Sequence, residues 1–436
     1  MLQPTPSLRF SAPPGARSAP LPAPSQPLDV VETGQAPRSK WSMAGAALLG
    51  LAAITTLAGC QSGPEPPSTS ISLPQEAQPG QATGLLLEVN GQKLYADEGG
   101  DINSSGQFVA GTSRGIVVGN LNQPDSQRYL ELNGRRLYAD GGSAINERGQ
   151  FIAGTSRGLV VGDLNDGSVR SLELNGHTLY QDEGIQVNAQ GRYLSGTSRG
   201  LVSGLVNSGQ AQLVQLEGRT LYTSDGLDLN DGNQFIAGTS QGVVQGDLDD
   251  GSVSRVTLEG RRVYADDGMQ LDNQGRFVAG TSQGLIRGQV GGSTSHLTLD
   301  GKRLYADEGM ALNEQGQFLA GTSRGVVRGD LDDGSLTSLT LAGRTLYATN
   351  GVDEDGDEDH SGDGYVQNTT AALNEDGSFI IGTSRGLITG NVNDGSASVL
   401  KMRERTLYPS ELLTLNQNGQ FLLGTSQGLV AGDLTP

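Results

Sequence analysis

The sequence predicts an all-β fold: an eight-bladed β-propeller with four antiparallel strands per blade, its last blade closed by the N-terminal strand. Three observations lead there. The tripeptide Gly-Thr-Ser recurs eight times, beginning at Gly111, Gly154, Gly196, Gly238, Gly280, Gly321, Gly382 and Gly424, with spacings of 43, 42, 42, 42, 41, 61 and 42 residues. Each period carries four turn signals. The repeat array also begins and ends in mid-unit. A fixed period near 42 means one supersecondary unit repeated eight times, and propeller blades take about 40–50 residues, whereas solenoid coils take roughly 20–30.

Before the repeats lies a different kind of sequence. Residues 1–59 read as a long leader and signal segment. The first 40 are rich in Pro, Ser and Ala; Arg38 and Lys40 then precede the apolar run 41–60. That run is of signal-peptide length and short for a stable membrane span. Residues 60–84 hold Cys60 followed by Pro, Ser, Gln and Gly with little apolar content, the composition of a flexible tether. Cys60 is the only cysteine, so the chain cannot form an internal disulfide.

The propeller is expected over residues 85–436. The copy starting at Leu297 reads LTLDGKRLYADEGMALNEQGQFLAGTSRGVVRGDLDDGS. D-G or N-G, N-x-x-G, S-R-G and D-D-G-S are turn chemistry, because Gly and Asn accept positive φ at little steric cost. Between them lie short runs of period-two alternation, such as Gln317–Thr322, which read as half-buried strands. No apolar stripe is long enough for a helix. Leu85–Val89 matches the strand that follows G-D-L in other copies, and the chain stops at Gly432-Asp433-Leu434 where that strand is missing. The N-terminal run is therefore expected to complete the last blade and to pair an otherwise open edge.

Aromatic residues sit at fixed places in the repeat. Seven of eight Phe follow N-x-x-G by one residue, with Tyr193 in the remaining copy, and eight of eleven Tyr, from Tyr95 to Tyr408, end an L-Y or V-Y pair. Both sets are expected to fill the space between blades. The Thr and Ser hydroxyls of Gly-Thr-Ser read as structural hydrogen-bonding groups.

The order of signals resembles WD-type repeats: N-x-x-G stands where their S-P-D-G turn stands, and G-D-L falls where W-D ends the third strand. Trp41 is the single tryptophan and lies outside the repeats, so the resemblance extends to topology alone. The run L-N-x-x-G-Q-F-x-A-G-T-S also resembles the core of HAF-type extracellular repeats. Leu57-Ala58-Gly59-Cys60 resembles a bacterial lipobox, which implies lipidation of Cys60 as the first mature residue. Gln61 in the next position implies, by the same resemblance, the outer membrane of a two-membrane bacterium.

Charge bears on partners. The chain is −19 at pH 7, and residues 1–60 carry four basic and two acidic groups, so the remainder is about −21. Such a body repels nucleic acid and anionic headgroups, which leaves a lipid anchor as the membrane contact. We expect a monomer.

Two features could carry function. The turn between the second and third strands is S-R-G in five copies, with Arg114, Arg157, Arg199, Arg324 and Arg385, and S-Q-G in three, with Gln241, Gln283 and Gln427. The connection into the next blade is acidic (Asp97, Glu98, Asp140, Asp182, Glu183, Asp225, Asp266, Asp267, Asp307, Glu308) and should open on the same face. This rim reads either as ion-paired and solvated or as a binding surface. The second feature breaks the repeat. The offset from Tyr to the Asn of N-x-x-G is 8 residues in seven copies (Asp272 in one), but 27 from Tyr347 to Asn374, an insertion of 19 within 352–370. Its segment 353–363 holds seven acids, and Asp353, Asp355, Asp357, Asp359, Ser361 and Asp363 offer the hard oxygen ligands that calcium takes. Asp359-x-Ser361-x-Asp363-Gly364 follows the start of an EF-hand loop, with Thr370 where the bidentate Glu would stand.

No nucleophile elbow, phosphate loop or dinucleotide fingerprint is present, and His177, His296 and His360 lack metal-ligand spacing. The expected function is therefore a non-enzymatic cell-envelope lipoprotein whose propeller binds or scaffolds envelope proteins or glycans, with calcium as the one cofactor. An eight-bladed lipoprotein propeller serves outer-membrane protein assembly in some bacteria, a likeness of fold. The alternatives are a glycan-acting hydrolase or lyase using acids at the propeller mouth, and a purely structural surface protein.

Overall fold

The computed structural model describes residues 80–81, 83–349, 370–402 and 405–434, all within the compact unit Ile71–Pro436. Cys60 and the calcium candidates at 353–363 lie outside the described residues. Every regular element among those described is a strand.

Eight four-stranded sheets form. Blade 1 contains Ala96–Ile102, Gln107–Thr112, Val117–Asn120 and Gln123–Tyr129, hydrogen-bonded in that order. The inner strands of blades 2 to 8 are Ala139–Ile145, Gln181–Val187, Thr223–Leu229, Ala265–Leu271, Ala306–Leu312, Ala371–Leu373 and Leu413–Leu415. Each packs against the next, and the ring closes where Leu413–Leu415 meets Ala96–Ile102.

Closure follows the sequence expectation, shifted by two residues. Thr83–Leu86 pairs antiparallel with Gly428–Asp433 in the register Thr83↔Asp433 to Leu86↔Val430, and the Leu87 amide donates to the Leu429 carbonyl. Glu88–Val89 instead starts a hairpin with Gln92–Lys93. A separate short strand lies just before it: Gly80 and Gln81 pair in parallel with Leu400 and Lys401 of blade 7. Two short N-terminal strands thus clasp the two blades at the seam.

A short hairpin leaves each outer strand for the next blade. In one, Asn133 (φ 52°) and Gly134 (φ 70°) are consecutive positive-φ residues, the geometry of a type I′ turn. These hairpins contact the outer strand of the following blade, as Glu173 does Gln210. They cover edges that would otherwise template aggregation.

The apolar core is divided into eight clusters, one per blade junction. Between blades 1 and 2, for example, Val109, Ile116, Val118 and Leu130 meet Phe151, Ala153 and Val160. All seven repeat Phe residues and Tyr193 are fully buried, as expected. The ring sits on a glycine: Phe318 pairs with Gly329, where an added Cβ would lie 2.5 Å from the Phe318 ring. The Gly of Gly-Thr-Ser has a different cause. A Cβ on Gly321 would lie 2.6 Å from Ala348 Cβ of the next blade and against the Glu308 carbonyl. That residue marks the closest approach between neighbouring blades. The Thr hydroxyl of the motif donates to the carbonyl three residues on (Thr112 to Gly115, 2.6 Å) and accepts the Arg114 amide, holding the turn.

The asparagine of N-x-x-G does two things at once. Its side-chain oxygen accepts amides of its own turn, as Asn103 Oδ1 does from Ser105 and Gln107 at 3.1 and 3.0 Å. Its Nδ2 donates to the main-chain carbonyl of the same residue in the next blade: Asn103 to Asn146, Asn146 to Asn188, Asn188 to Asn230, Asn230 to Asp272, Asn313 to Asn374 and Asn416 to Asn103, at 2.8–3.2 Å. Outside this belt runs another. Gln107 donates to Asn165, Gln317 to Asn393 and Gln420 to Asn122, each across a junction, while Arg192–Asp249 at 3.1 Å replaces an amide pair by an ion pair.

Blade 5 departs from the pattern and is repaired. Asp272 stands in the Asn position, fully buried, and cannot donate. Arg276 stands in the Gln position; its Nε donates to Asp272 Oδ2 at 2.6 Å and its Nη2 to the Glu314 carbonyl of blade 6 at 3.1 Å. The guanidinium supplies the missing inter-blade donor and neutralises the buried carboxylate. Removing one partner of such a pair costs about 3–5 kcal/mol, because a buried charge is left alone. Arg276→Gln should therefore lower the melting temperature sharply, and Asp272→Asn with Arg276→Gln should recover most of the loss by restoring the repeat's own pair. A double-mutant cycle in thermal denaturation measures both.

A second test addresses the seam. Deleting residues 80–86 removes the outer strand of blade 8 and the parallel clasp on blade 7. Thermal melting with light scattering should show a lower transition and aggregation; an unchanged melt would show that the seam does not hold the ring.

Candidate functional site

One end of the channel gathers the side chains that packing does not use. Inner strands begin at this end, and the turns between second and third strands open beside them. The link is direct: the Ser113 amide of one turn donates to the Tyr95 carbonyl that precedes an inner strand, at 3.2 Å, and the same bond recurs from Ser156, Ser198, Ser240, Ser282 and Ser323.

Here the structure corrects the reading of the tyrosines. Tyr95, Tyr138, Tyr180, Tyr222, Tyr264, Tyr305, Tyr347 and Tyr408 are 39–49 % exposed rather than packed between blades. The cause is register. The residue before each Tyr (Leu94, Leu137, Leu179 and their equivalents) is fully or almost fully buried, and side chains alternate along extended backbone, so the Tyr turns outward. The result is a ring of eight aromatic side chains on one face.

Inside that ring stand the acids. Glu98, Glu183, Asp225, Asp267, Glu308 and Glu411 occupy one position of the repeat near the channel mouth, with Asp97, Asp140, Asp182, Asp266 and Asp307 beside them. Burial, then Asp97, Glu411 and Asp140, raise the Glu98 pKa to about 7. Burial, then Glu308, Asp307, Asp266 and Asp225, raise Asp267 to about 7. Glu183 is pushed up by burial and by Asp225 and Asp182, and Asp225 by burial and Asp266. Among the described residues, no three such groups converge closely enough to hold a metal ion. The carboxylates are spread around the mouth.

Blade 2 has Gly141 at the acid position. A Cβ there would lie 2.7 Å from Gln181 Oε1, and blade 3 supplies that Gln where most copies have Ala. The Gln181 amide oxygen, Glu183 Oε2 and the Thr223 hydroxyl are buried without a hydrogen-bond partner at this sector.

The turn arginines lie on the same face. Arg114, Arg157, Arg199, Arg324 and Arg385 are exposed, each with its main-chain amide donating to the Thr hydroxyl of its turn at 3.1–3.3 Å. They do not form the ion-paired rim. The ion pairs among the described residues are Arg192–Asp249, Arg255–Glu217, Arg276–Asp272 and Arg276–Asp332, which leave the five turn arginines out. Arg114 donates to Gln92 Oε1 of a peripheral hairpin at 3.0 Å, away from the mouth. The face is thus acidic at the centre, aromatic around it and basic at the periphery. Thr349 and Thr370, the described residues on either side of 350–369, lie at this end too, both hydrogen-bonded to Gly382 of blade 7.

Two acids deeper on the inner strands serve the fold. Asp101 accepts the Ile102 and Ile145 amides at 2.8 and 3.0 Å and Asp228 accepts those of Leu229 and Leu271 at 2.8 and 2.7 Å. Burial dominates and raises each pKa to about 6.

The fold has known counterparts. No family model matches the chain, and no curated protein matches it. Among solved structures it is similar to the C-terminal WD40 domain of Sif2, at 9 % identity over 83 % of this chain and 99 % of that one, with a TM-score of 0.53. The RRP9 WD40 repeats are also similar, at 9 % identity over 82 % of this chain and 99 % of that one, with a TM-score of 0.47. The first likeness establishes the WD40-like propeller and nothing about chemistry.

The shifted acids fix how stability depends on pH. A carboxylate whose folded pKa lies above its unfolded value stabilises the fold fully below the unfolded value, near 4, and loses that contribution as pH rises through the folded value. Asp101, Asp228, Glu98 and Asp267 therefore weaken the fold between about pH 4 and 7. Surface carboxylates such as Asp250 and Asp333, held low by the hydroxyl and amide of Ser252 and Ser335, act only below the usual aspartate range. The melting temperature should peak near pH 5 and be lower at pH 8, on the order of 5 °C. Asp101→Asn and Asp228→Asn should flatten the profile in calorimetry across that range.

Proposed function

We propose that this chain is a non-enzymatic platform that binds a protein partner on its tyrosine-ringed face, carried on the cell envelope as a lipoprotein through Cys60. The observation that carries the binding reading is the ring of eight exposed tyrosines. A soluble β-protein gains by burying such rings, and aromatic residues are enriched at protein interfaces, where one end meets apolar surface and the hydroxyl keeps a polar partner. Propellers present one face of loops on a rigid ring, which suits recognition of proteins.

Against an enzyme stands the character of the departures from symmetry. Catalysis needs unique polar groups converging on a reacting atom. The unique inner-strand acids Asp101 and Asp228 each accept two main-chain amides instead. The envelope part of the proposal rests on Leu57-Ala58-Gly59-Cys60 after its apolar run and on the tether that follows.

Two measurements test it in cells of a two-membrane bacterium. A photo-crosslinking amino acid at Tyr264 should give a discrete protein adduct, whereas one at Arg135, on a peripheral hairpin, should not. Cys60→Ser should move the chain from the membrane fraction to the soluble or precursor pool. Adducts of equal yield from both positions would remove the platform reading, and unchanged membrane partition of Cys60→Ser would remove the anchor.

A further inference from the structure

The face is not eightfold in charge, and the asymmetry names a partner. In blades 1, 2 and 3 the turn beside the tyrosine carries Arg114, Arg157 and Arg199; in blades 4 and 5 it carries Gln241 and Gln283, and in blade 6 Arg324, so the arc of blades 4 to 6 holds one turn cation against three. Those two glutamines are tied to main-chain carbonyls, Gln241 to Thr220 at 3.4 Å and Gln283 to Arg262 at 3.0 Å. Of the cations nearby, Arg255 is held by Glu217 and Gln241, and Arg262 lies at the Tyr264 hydroxyl. Toward the mouth the same sector holds Asp225, Asp266, Asp267, Asp307 and Glu308, and Asp267 is faced by all four others. Around them stand Tyr222, Tyr264 and Tyr305, exposed by 47, 45 and 43 %.

We infer that the sector formed by blades 4 to 6 seats an extended, lysine- or arginine-rich segment of a partner protein, its cations over the rings of Tyr222, Tyr264 and Tyr305 and between the mouth carboxylates. This rests on the protein-platform reading and names the partner's chemistry. Charge complementarity selects the occupant. A ring face attracts a cation through its quadrupole, and the aliphatic stem of Lys or Arg covers aromatic surface while the head stays wet. Among the described residues no three of these carboxylates converge on one ion, and their charge, spread around the mouth, matches a run of separate cations. An anionic partner meets repulsion from a chain of net charge −19, and a neutral glycan brings no cation to the crowded carboxylates.

The proposal also fixes a proton response. A cationic occupant favours ionised carboxylates, and burial with Asp225, Asp266, Asp307 and Glu308 facing it holds Asp267 near 7. Binding therefore weakens as pH falls from 8 to 6, the direction in which the fold itself gains stability.

The test uses the full chain in detergent and fluorescent deca-arginine and deca-lysine peptides, with deca-glutamate and a neutral polysaccharide as comparison probes. At low salt the cationic peptides should bind, with affinity falling as salt rises. Tyr222→Ala with Tyr264→Ala and Tyr305→Ala should weaken binding at least tenfold, and the three Tyr→Phe changes should retain it. Tyr95→Ala with Tyr138→Ala and Tyr180→Ala, on the arc with three turn arginines, should change it less than twofold. Melting temperatures of both triple variants should match the parent, since these rings are not core. Equal losses from the two arcs, indifference to the tyrosines, or preference for the polysaccharide would each overturn the inference. A protein captured at Tyr264 through a neutral or acidic segment would overturn it while leaving the platform intact. Peptide binding without any captured protein would count against the platform alone.

Discussion

Everything in this ring depends on how a blade is fixed to its neighbour, and the buried asparagine of N-x-x-G does that. A primary amide offers an acceptor and two donors on one short arm. The oxygen locks the turn that carries it, and the nitrogen reaches the equivalent carbonyl one blade on. Turn geometry and blade spacing are therefore set by the same side chain. Apolar clusters alone would tolerate sliding, since hydrophobic contact is non-directional. A directional bond repeated around a closed ring does not. Blade 5 shows the constraint by its exception, because losing the amide at Asp272 came with an arginine that rebuilds both the donor and the charge balance.

With the far end of the channel used for fastening, the near end is free to vary. Burial first, and then their closeness to one another, raise the pKa of its carboxylates, which weakens the fold as pH rises. The turn arginines do not relieve this, since they point toward the periphery or into solvent. A scaffold concerned only with stability would place those cations inward, or use Asn and Gln at the mouth as it does at the other end. Local conflict retained within an otherwise consistent repeat is where function is to be sought.

Much of this was legible in the residues. The period, the four turns and the absent terminal strand predict the number of blades and the closing strand, and Gly80–Gln81 adds only the parallel clasp that pairing across a seam requires. The Phe positions read correctly because a large ring paired with a cross-strand Gly has one place to go. The Tyr positions did not, although the signal was present. The apolar residue just before each Tyr competes for the interior, and alternation allows only one of two neighbours to enter. The asparagine belt was missed for another reason. Asn in N-x-x-G is sufficiently explained by the turn, and nothing in a single copy shows that the donor end reaches a carbonyl about 42 residues away. The Asp272 and Arg276 pair was the available clue, since two rare substitutions four residues apart in one copy imply a shared partner.

A closed repeat imposes one further piece of logic. Identical blades present identical surfaces, so eight copies of a weak contact favour a partner that is itself repetitive or extended, while any single docking orientation has to come from departures. The departures on this face are few: Gly141 with Gln181 in blades 2 and 3, the turn glutamines Gln241, Gln283 and Gln427 in blades 4, 5 and 8, and the insertion point between Thr349 and Thr370 in blade 7. The first two change charge on the aromatic side of the molecule, and the inserted sequence carries seven acids. Substitutions at solvent-facing turns rarely affect stability by more than about 0.5 kcal/mol. The exchange of Arg for Gln there is then free to follow the demands of a bound partner, and in blades 4 and 5 it leaves the exposed rings without a turn cation beside them.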